Sequence, residues 1–147
     1  MTDMRFLDLP ARLLMSLLFL VSGYGKLSQN AGTQAYMQLH GVPGLLSVPA
    51  AAWELVAGLS LLLGLWIRPL AILLAGWCVL TAVIFHTAFT DQNQLMNFLK
   101  NMTMAGGFLL IARARPSAFS VDAWRLARRP VPLRPASTAL RGDGSWG

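Results

Sequence analysis

A single cysteine, Cys78, among 147 residues excludes an intrachain disulfide, a CxxC redox pair and a thiolate-bound metal. It lies inside an apolar run, where a free cysteine packs as a small hydrophobe. Charge is almost as scarce: Asp, Glu, Lys and Arg make up 12% of the chain, about half the share of an ordinary soluble domain. With two histidines in all, one His and one Glu within the apolar runs leave too few ligands for a closed zinc site, so no metal is expected. The net charge of +6 does not form a basic soluble face interleaved with exposed aromatics, which excludes nucleic acid as a partner. What the chain does have is apolar surface, 55% of its residues, and lipid is its expected solvent.

A helix that crosses the hydrocarbon needs about 20 mostly apolar residues. Four stretches meet or nearly meet this, at about 10–27, 48–67, 69–90 and 98–112. The first is uncharged from Leu13 to Gly25, and the basic side chains at its ends, Arg12 and Lys26, are expected to reach the headgroups. Val21-Ser22-Gly23-Tyr24 is a poor signal-peptide cleavage site and Asp3 and Asp8 occupy the would-be basic region, so this span is expected to be retained. The second carries one charge, Glu54; the third carries His86; the fourth, the shortest, opens with Lys100 and Asn101. Gly32, Gly41, Pro43 and Gly44 mark the first connection, Arg68-Pro69 a tight second one and Asp91-Gln92-Asn93-Gln94 a polar third. Short connections make an all-α antiparallel four-helix membrane bundle. Ala50 and Gly58 beside Glu54, Ala71 and Ala75 on the third span, and Gly106-Gly107 on the fourth allow the close backbone approach that helices use in lipid.

Ten arginines (5, 12, 68, 113, 115, 125, 128, 129, 134 and 141) fall on one side of this arrangement, and only Lys26 and Lys100 on the other. The asymmetry places both termini and the Arg68 turn in the cytoplasm and the chain in a bacterial inner membrane. After the spans, Ser120-Val121-Asp122-Ala123-Trp124 begins with a helix-capping residue and an early acid, which predicts a short surface helix at about 120–128. Residues 1–129 are thus expected to form the membrane domain. Residues 130–147, rich in Arg and Pro, are expected to be a disordered cytoplasmic tail attracted to anionic lipids.

Following each helix in its direction, the intramembrane polar residues converge. Lys26 ends the first span, Glu54 lies ~10 Å into the second, and His86 lies ~6 Å before the end of the third. Lys100 and Asn101 open the fourth. One layer near the periplasmic face therefore receives a polar group from every helix, and the cytoplasmic half is expected to receive none. Lys26, Glu54, His86 and Lys100 are expected to form one coupled cluster, because an unpaired charge in hydrocarbon costs at least ~2.5 kcal/mol. Two readings are open at this stage. The layer is either an ion-paired clamp that fixes helix register, or a polar pocket for a small molecule, a quinone head or a proton.

The chain also resembles the DoxX family. The likeness rests on the run from Phe19 to Leu27, on Gly41-Val42-Pro43, on Glu54-Leu55-Val56-Ala57-Gly58-Leu59 running to Leu62-Leu63-Gly64-Leu65, on His86, and on Ser120-Val121-Asp122-Ala123. It covers about Ala11 to Leu126. The resemblance implies a four-helix membrane bundle, with shared polar positions falling on Lys26, Glu54 and His86. It also implies a link to respiratory or thiol redox systems: some members resemble a subunit of a thiosulfate-oxidising, quinone-reducing enzyme, and others join oxidative-stress complexes. With one buried cysteine the chain cannot run thiol chemistry alone, so that role requires a membrane or periplasmic redox partner or a quinone. Two function classes follow. One is a non-catalytic membrane subunit or anchor, alone or as a homo-oligomer in the bilayer. The other is a small carrier or membrane enzyme moving protons through Glu54 and His86.

Reporter fusions after Gln29 and after Asn93 are expected to signal from the periplasm, and fusions after Arg68 and Gly147 from the cytoplasm. A cytoplasmic signal after Asn93 would contradict the four-span arrangement.

Overall fold

The computed structural model describes residues 7–114 and 120–128. The expected tail at 130–147 and five of the topology-setting arginines (Arg5, Arg115, Arg129, Arg134 and Arg141) lie outside the described residues. The described chain is helical: α1 Asp8–Ser28, α2 Asn30–Leu39, a 3-10 turn Gly44–Leu46, α3 Ser47–Leu63, α4 Ile67–Phe85, α5 Gln92–Arg113 and α6 Val121–Ala127.

Local chemistry sets the boundaries. Asp8 sits in the first turn of α1, where the helix dipole favours an anion. Pro49 and Pro69 fall in the first turns of α3 and α4, where the missing N–H has no intrahelical acceptor to lose. Gly64 ends α3 in the left-handed conformation, φ 70°, which glycine adopts without a Cβ clash. The α3–α4 connection is therefore Gly64–Trp66, not Arg68-Pro69. Pro69 reads as a breaker in the sequence, but in the fold it starts a helix. The Asp91 carboxylate accepts from the Asn93 N–H at 2.8 Å and starts α5 at Gln92, well before residue 98. The fourth long helix is thus the longest, at 22 residues, because polar turns can extend a helix beyond its apolar stretch. The first connection, expected to be irregular, contains helix α2, and only Gly41 there takes a left-handed φ, 73°.

Three helical segments are long and apolar enough to cross a membrane: Gly44–Leu63, Ile67–Phe85 and Gln92–Arg113. α1 has the length, at 21 residues, and carries Asp8, Arg12 and Lys26. Its outward face holds exposed Leu13, Leu14, Leu17 and Val21; Val56, Leu59 and Leu63 on α3 are also exposed, with Ile72, Leu73, Val79 and Val83 on α4. Such a belt is stable against lipid and costly against water.

The core is built from small residues and a few large ones: Ala57, Ala71, Ala75, Cys78 and Ala105 around Phe19, Leu61, Leu70, Leu74 and Phe108. α1 runs along α3, with Lys26 at Glu54, Gly23 against Ala51 and Leu55, and Gly58 against Leu20 and Phe19. The opposed numbering makes this pair antiparallel. A Cβ on Gly23 would lie 2.8 Å from Leu55 Cγ and 2.9 Å from Ala51 O, so glycine is what lets the backbones meet there. α4 packs along α5 in the same sense, with Thr81 facing Asn101 and His86 facing Gln94. The two pairs join where the Phe19 and Phe108 rings meet at 5.6 Å.

The end of the molecule that carries Arg12 corrects an expectation. Arg12 is fully buried and does not reach the headgroups. Its guanidinium donates to Asp8 Oδ2 at 2.9 Å and to the Leu62 carbonyl at 3.2 Å, so the helix end expected to be free of buried polar groups holds a buried charge, with Ser16 and Ser120 buried there as well. Nearby, α6 docks under the α3–α4 connection. Ser120 caps α6 by accepting from Ala123 N, and the Asp122 carboxylate accepts from the Trp66 and Ile67 amides at 3.0 and 2.9 Å. The side chain of one helix thereby caps the start of another, satisfying amides that no intrahelical carbonyl reaches.

Asp122→Ala is expected to lower stability by ~1–2 kcal/mol, the cost of losing a helix cap, measured by unfolding in mixed micelles. An unchanged unfolding midpoint would show that water replaces the carboxylate.

Candidate functional site

Glu54 is placed on the buried face of α3 by the same small-residue pattern, Ala51, Ala57 and Gly58, that brings α1 close. It is 4% exposed, and both carboxylate oxygens are engaged. Lys26 Nζ donates to Oε2 at 2.6 Å, and Trp77 Nε1 donates to Oε1 at 3.1 Å. Lys26 also donates to Ser22 Oγ, one turn back on α1, at 2.7 Å. Three helices thus meet at one carboxylate, and a bond to each oxygen offsets its loss of water.

Around this pair lies a cavity of about 950 Å³. Lys26, Glu54, His86, Lys100 and Asn101 all line it, with Trp77, Cys78 and Thr81 on the α4 wall and apolar Leu18, Phe19, Leu80 and Met104 below. Of the four residues expected to couple, only Lys26 and Glu54 touch. His86, just past the end of α4, places Nδ1 2.8 Å from Gln94 Oε1. The amide oxygen can only accept, so Nδ1 carries the hydrogen, and Nε2 remains as the ring's other polar atom. Asn101 lies 3.4 Å from the Thr81 hydroxyl and donates to Asn97 O at 2.9 Å. Lys100 is exposed at the rim and has no ion-pair partner among the described residues. The layer is therefore one ion pair and two separate polar contacts arranged around a shared space.

A second hollow of about 400 Å³ adjoins the first between α1 and α2, and Ser22, Lys26, Thr33 and Tyr36 line both. Tyr36 closes the space between α2 and α4: its hydroxyl donates to Phe85 O at 3.2 Å, and its ring stacks on Phe85 at 5.7 Å. His40, in the turn that follows α2, packs edge-on against Phe85. Among the described residues no three His, Cys, Asp or Glu side chains gather as a metal would require.

Trp77, Ser22, Thr81 and Gln94 escaped sequence reasoning. Trp77 had a usable signal, since an indole N–H in the middle of a membrane span needs an acceptor, and the acidic acceptor expected at that depth was Glu54. Ser22 lies one turn from Lys26, and Gln94 was read only as part of a polar connection.

Comparison with known proteins bears on these residues. The DoxX family profile matches residues 7–87, a stretch that holds Lys26, Glu54, Trp77 and His86. The chain is 43% identical over 114 residues to inner membrane protein YqjF of Escherichia coli (strain K12), covering 78% of this chain and 88% of that protein. It is 36% identical over 121 residues to inner membrane protein YphA of the same organism, covering 78% and 86%. No solved structure matches it.

Glu54→Gln is expected to destabilise the fold by on the order of 3 kcal/mol, the low end for an unpaired buried charge, because Lys26 keeps 29% of its side chain exposed. Adding Lys26→Met should restore part of that loss. Reversible unfolding of the two single variants and the double variant measures the coupling, and strictly additive effects would contradict the ion pair.

Proposed function

This integral membrane protein belongs to the DoxX family, and from that premise we propose that it is a non-catalytic subunit or anchor of a redox-linked system, quinone- or thiol-linked or tied to oxidative stress. In this reading α1 is a fourth span. The four long helices form an antiparallel bundle in a bacterial inner membrane, with both termini cytoplasmic and the Lys26 end periplasmic. Two observations support the fourth span: α1 has the length to cross, and its outward face carries the same apolar belt as its neighbours. The names of its Escherichia coli relatives support the location, and the arginine bias supports the orientation.

The cavity carries the functional reading. Its volume falls in the usual range for a small-molecule site, and apolar walls with a few polar groups at one end are what such sites present. A quinone head fits those residues: Lys100 and Lys26 supply donors for ring carbonyls, and Phe19, Leu80 and Met104 supply an apolar bed. When bound, a quinone would bring the two-electron chemistry that one buried cysteine cannot. Electrons would then have to come from a membrane or periplasmic redox partner, and a homo-oligomer in the bilayer is compatible with the same surface. The alternative, a carrier or enzyme moving protons through Glu54 and His86, has less support. Both Glu54 oxygens are already bonded, and His86 is held by Gln94 and not by Glu54.

Purification in mild detergent followed by lipid extraction is expected to yield quinone enriched well above its ratio in the surrounding membrane. In Lys100→Gln that enrichment should fall. Quinone present only at the bulk ratio in both preparations would overturn this reading.

A further inference from the structure

Which residues line the cavity and also face outward locates its mouth. Tyr36, Leu46 and Met96 do both near the Lys26 end, and deeper along the helices Leu18 on α1, Leu80 on α4 and Leu99 on α5 do both, each with about half of its surface exposed. Leu18 lies ~12 Å along α1 from Lys26, and Leu80 lies ~9 Å before His86. At such depths in membrane-crossing helices the surroundings are hydrocarbon. Below the mouth the two helix pairs close on each other, through the Phe19–Phe108 ring contact and through Met15 packed within 3.3 Å of where a Cβ on Gly107 would sit. The space is thus a cleft that opens sideways, with its polar groups gathered at the Lys26 end.

The charge of the lining selects what can occupy it. Lys26 and Glu54 neutralise each other, and Lys100 adds a positive charge that no described acid offsets. No other Asp, Glu, Lys or Arg lines the cavity. Hydrogen-bonding capacity points the same way. Both Glu54 oxygens are engaged, while Lys26 has one ammonium proton beyond its two bonds and Lys100 has three. Against His86 Nε2, which accepts, these four ammonium protons leave the polar end with donors in excess of acceptors.

We propose that the cleft takes, directly from the bilayer, a single-tailed amphiphile whose head accepts hydrogen bonds, a carboxylate or a ring carbonyl. The head lies against Lys26 and Lys100, and the tail runs past Leu18 and Leu80 into lipid. A cationic head is excluded by the net positive lining. This assignment rests on the reading of the cavity as a site for a membrane-dissolved molecule, and it adds the route of entry and the chemistry of the head.

Of the four tryptophans among the described residues, Trp77 is the one that lines the cavity. A variant with Phe at positions 53, 66, 124 and 146 therefore reports from the cleft in nanodiscs. Three tail-brominated amphiphiles with carboxylate, quinone and ammonium heads are titrated as quenchers. The carboxylate and quinone are expected to quench saturably, and the ammonium at least tenfold more weakly. Lys100→Gln should weaken the carboxylate tenfold or more and the quinone by less. Native mass spectrometry of the unsubstituted chain, counting adducts that survive detergent removal, should give the same order of heads without depending on the multiple variant. Equal quenching by the ammonium, or indifference to Lys100→Gln, would overturn the head assignment and leave the cavity reading standing. Absence of saturable quenching and of adducts with every head would overturn both.

Discussion

An ionised carboxylate held among apolar helices is tolerable only if its charge is met at contact distance, and the arrangement of this molecule follows from meeting that condition at Glu54. Lys26 reaches it from α1 and Trp77 from α4. For both to arrive, α1 must lie close along α3, and glycine at positions 23 and 58 makes that approach sterically available. The pair thereby fixes the register of one helix couple and ties it to the other. It also consumes the acceptors at that end of the bundle, which leaves the nearby lysine donors to face the cavity. On the proposed reading, structural clamp and binding pocket, alternatives when only the residues are considered, are two consequences of one ion pair.

The two ends of the bundle are built differently. At the Arg12 end, buried polar groups are met by short local partners. Arg12 bonds to Asp8 and to the Leu62 carbonyl, and Asp122 caps α4 while Gly64 makes the turn. With the Phe19–Phe108 contact above it, this end is closed. At the Lys26 end the helix pairs part around about 950 Å³ of space, and α2 with its Tyr36–Phe85 contact lies across that end. On the proposed reading, a closed base and a cleft that opens sideways let a ligand enter without the helix pairs coming apart.

Much of this is legible in the residues alone, and the failures have physical causes. Glu54 and His86 stand out because an ionisable group in an apolar run is costly, and the depth rule then brings Lys26, Lys100 and Asn101 to the same layer. Contact is harder to read than depth: whether His86 meets Glu54 or Gln94 depends on which way a helix end faces, and spacing along the chain does not encode that. Arg12 misleads because a basic residue at the edge of a span usually reaches headgroups, whereas here an acid one turn earlier and a carbonyl on α3, some 50 residues along the chain, hold it inside. The α3–α4 turn is misplaced because Pro69 signals a break as strongly as Gly64 does, and only the fold shows that the proline begins a helix. Asp122 could be read as an early helical acid, but not as the cap of a helix some 55 residues before it.

The ion pair can be observed directly in a bilayer. Solid-state NMR recoupling between the Lys26 Nζ nitrogen and the Glu54 carboxyl carbon, in protein labelled at lysine and glutamate, measures the separation on which the register, the cavity lining and its donor excess all rest. A direct contact is predicted, consistent with a nitrogen–oxygen distance of 2.6 Å, and it should vanish in Glu54→Gln. A separation of about 10 Å or more, well beyond the ~4 Å reach of an ion pair, would contradict the account.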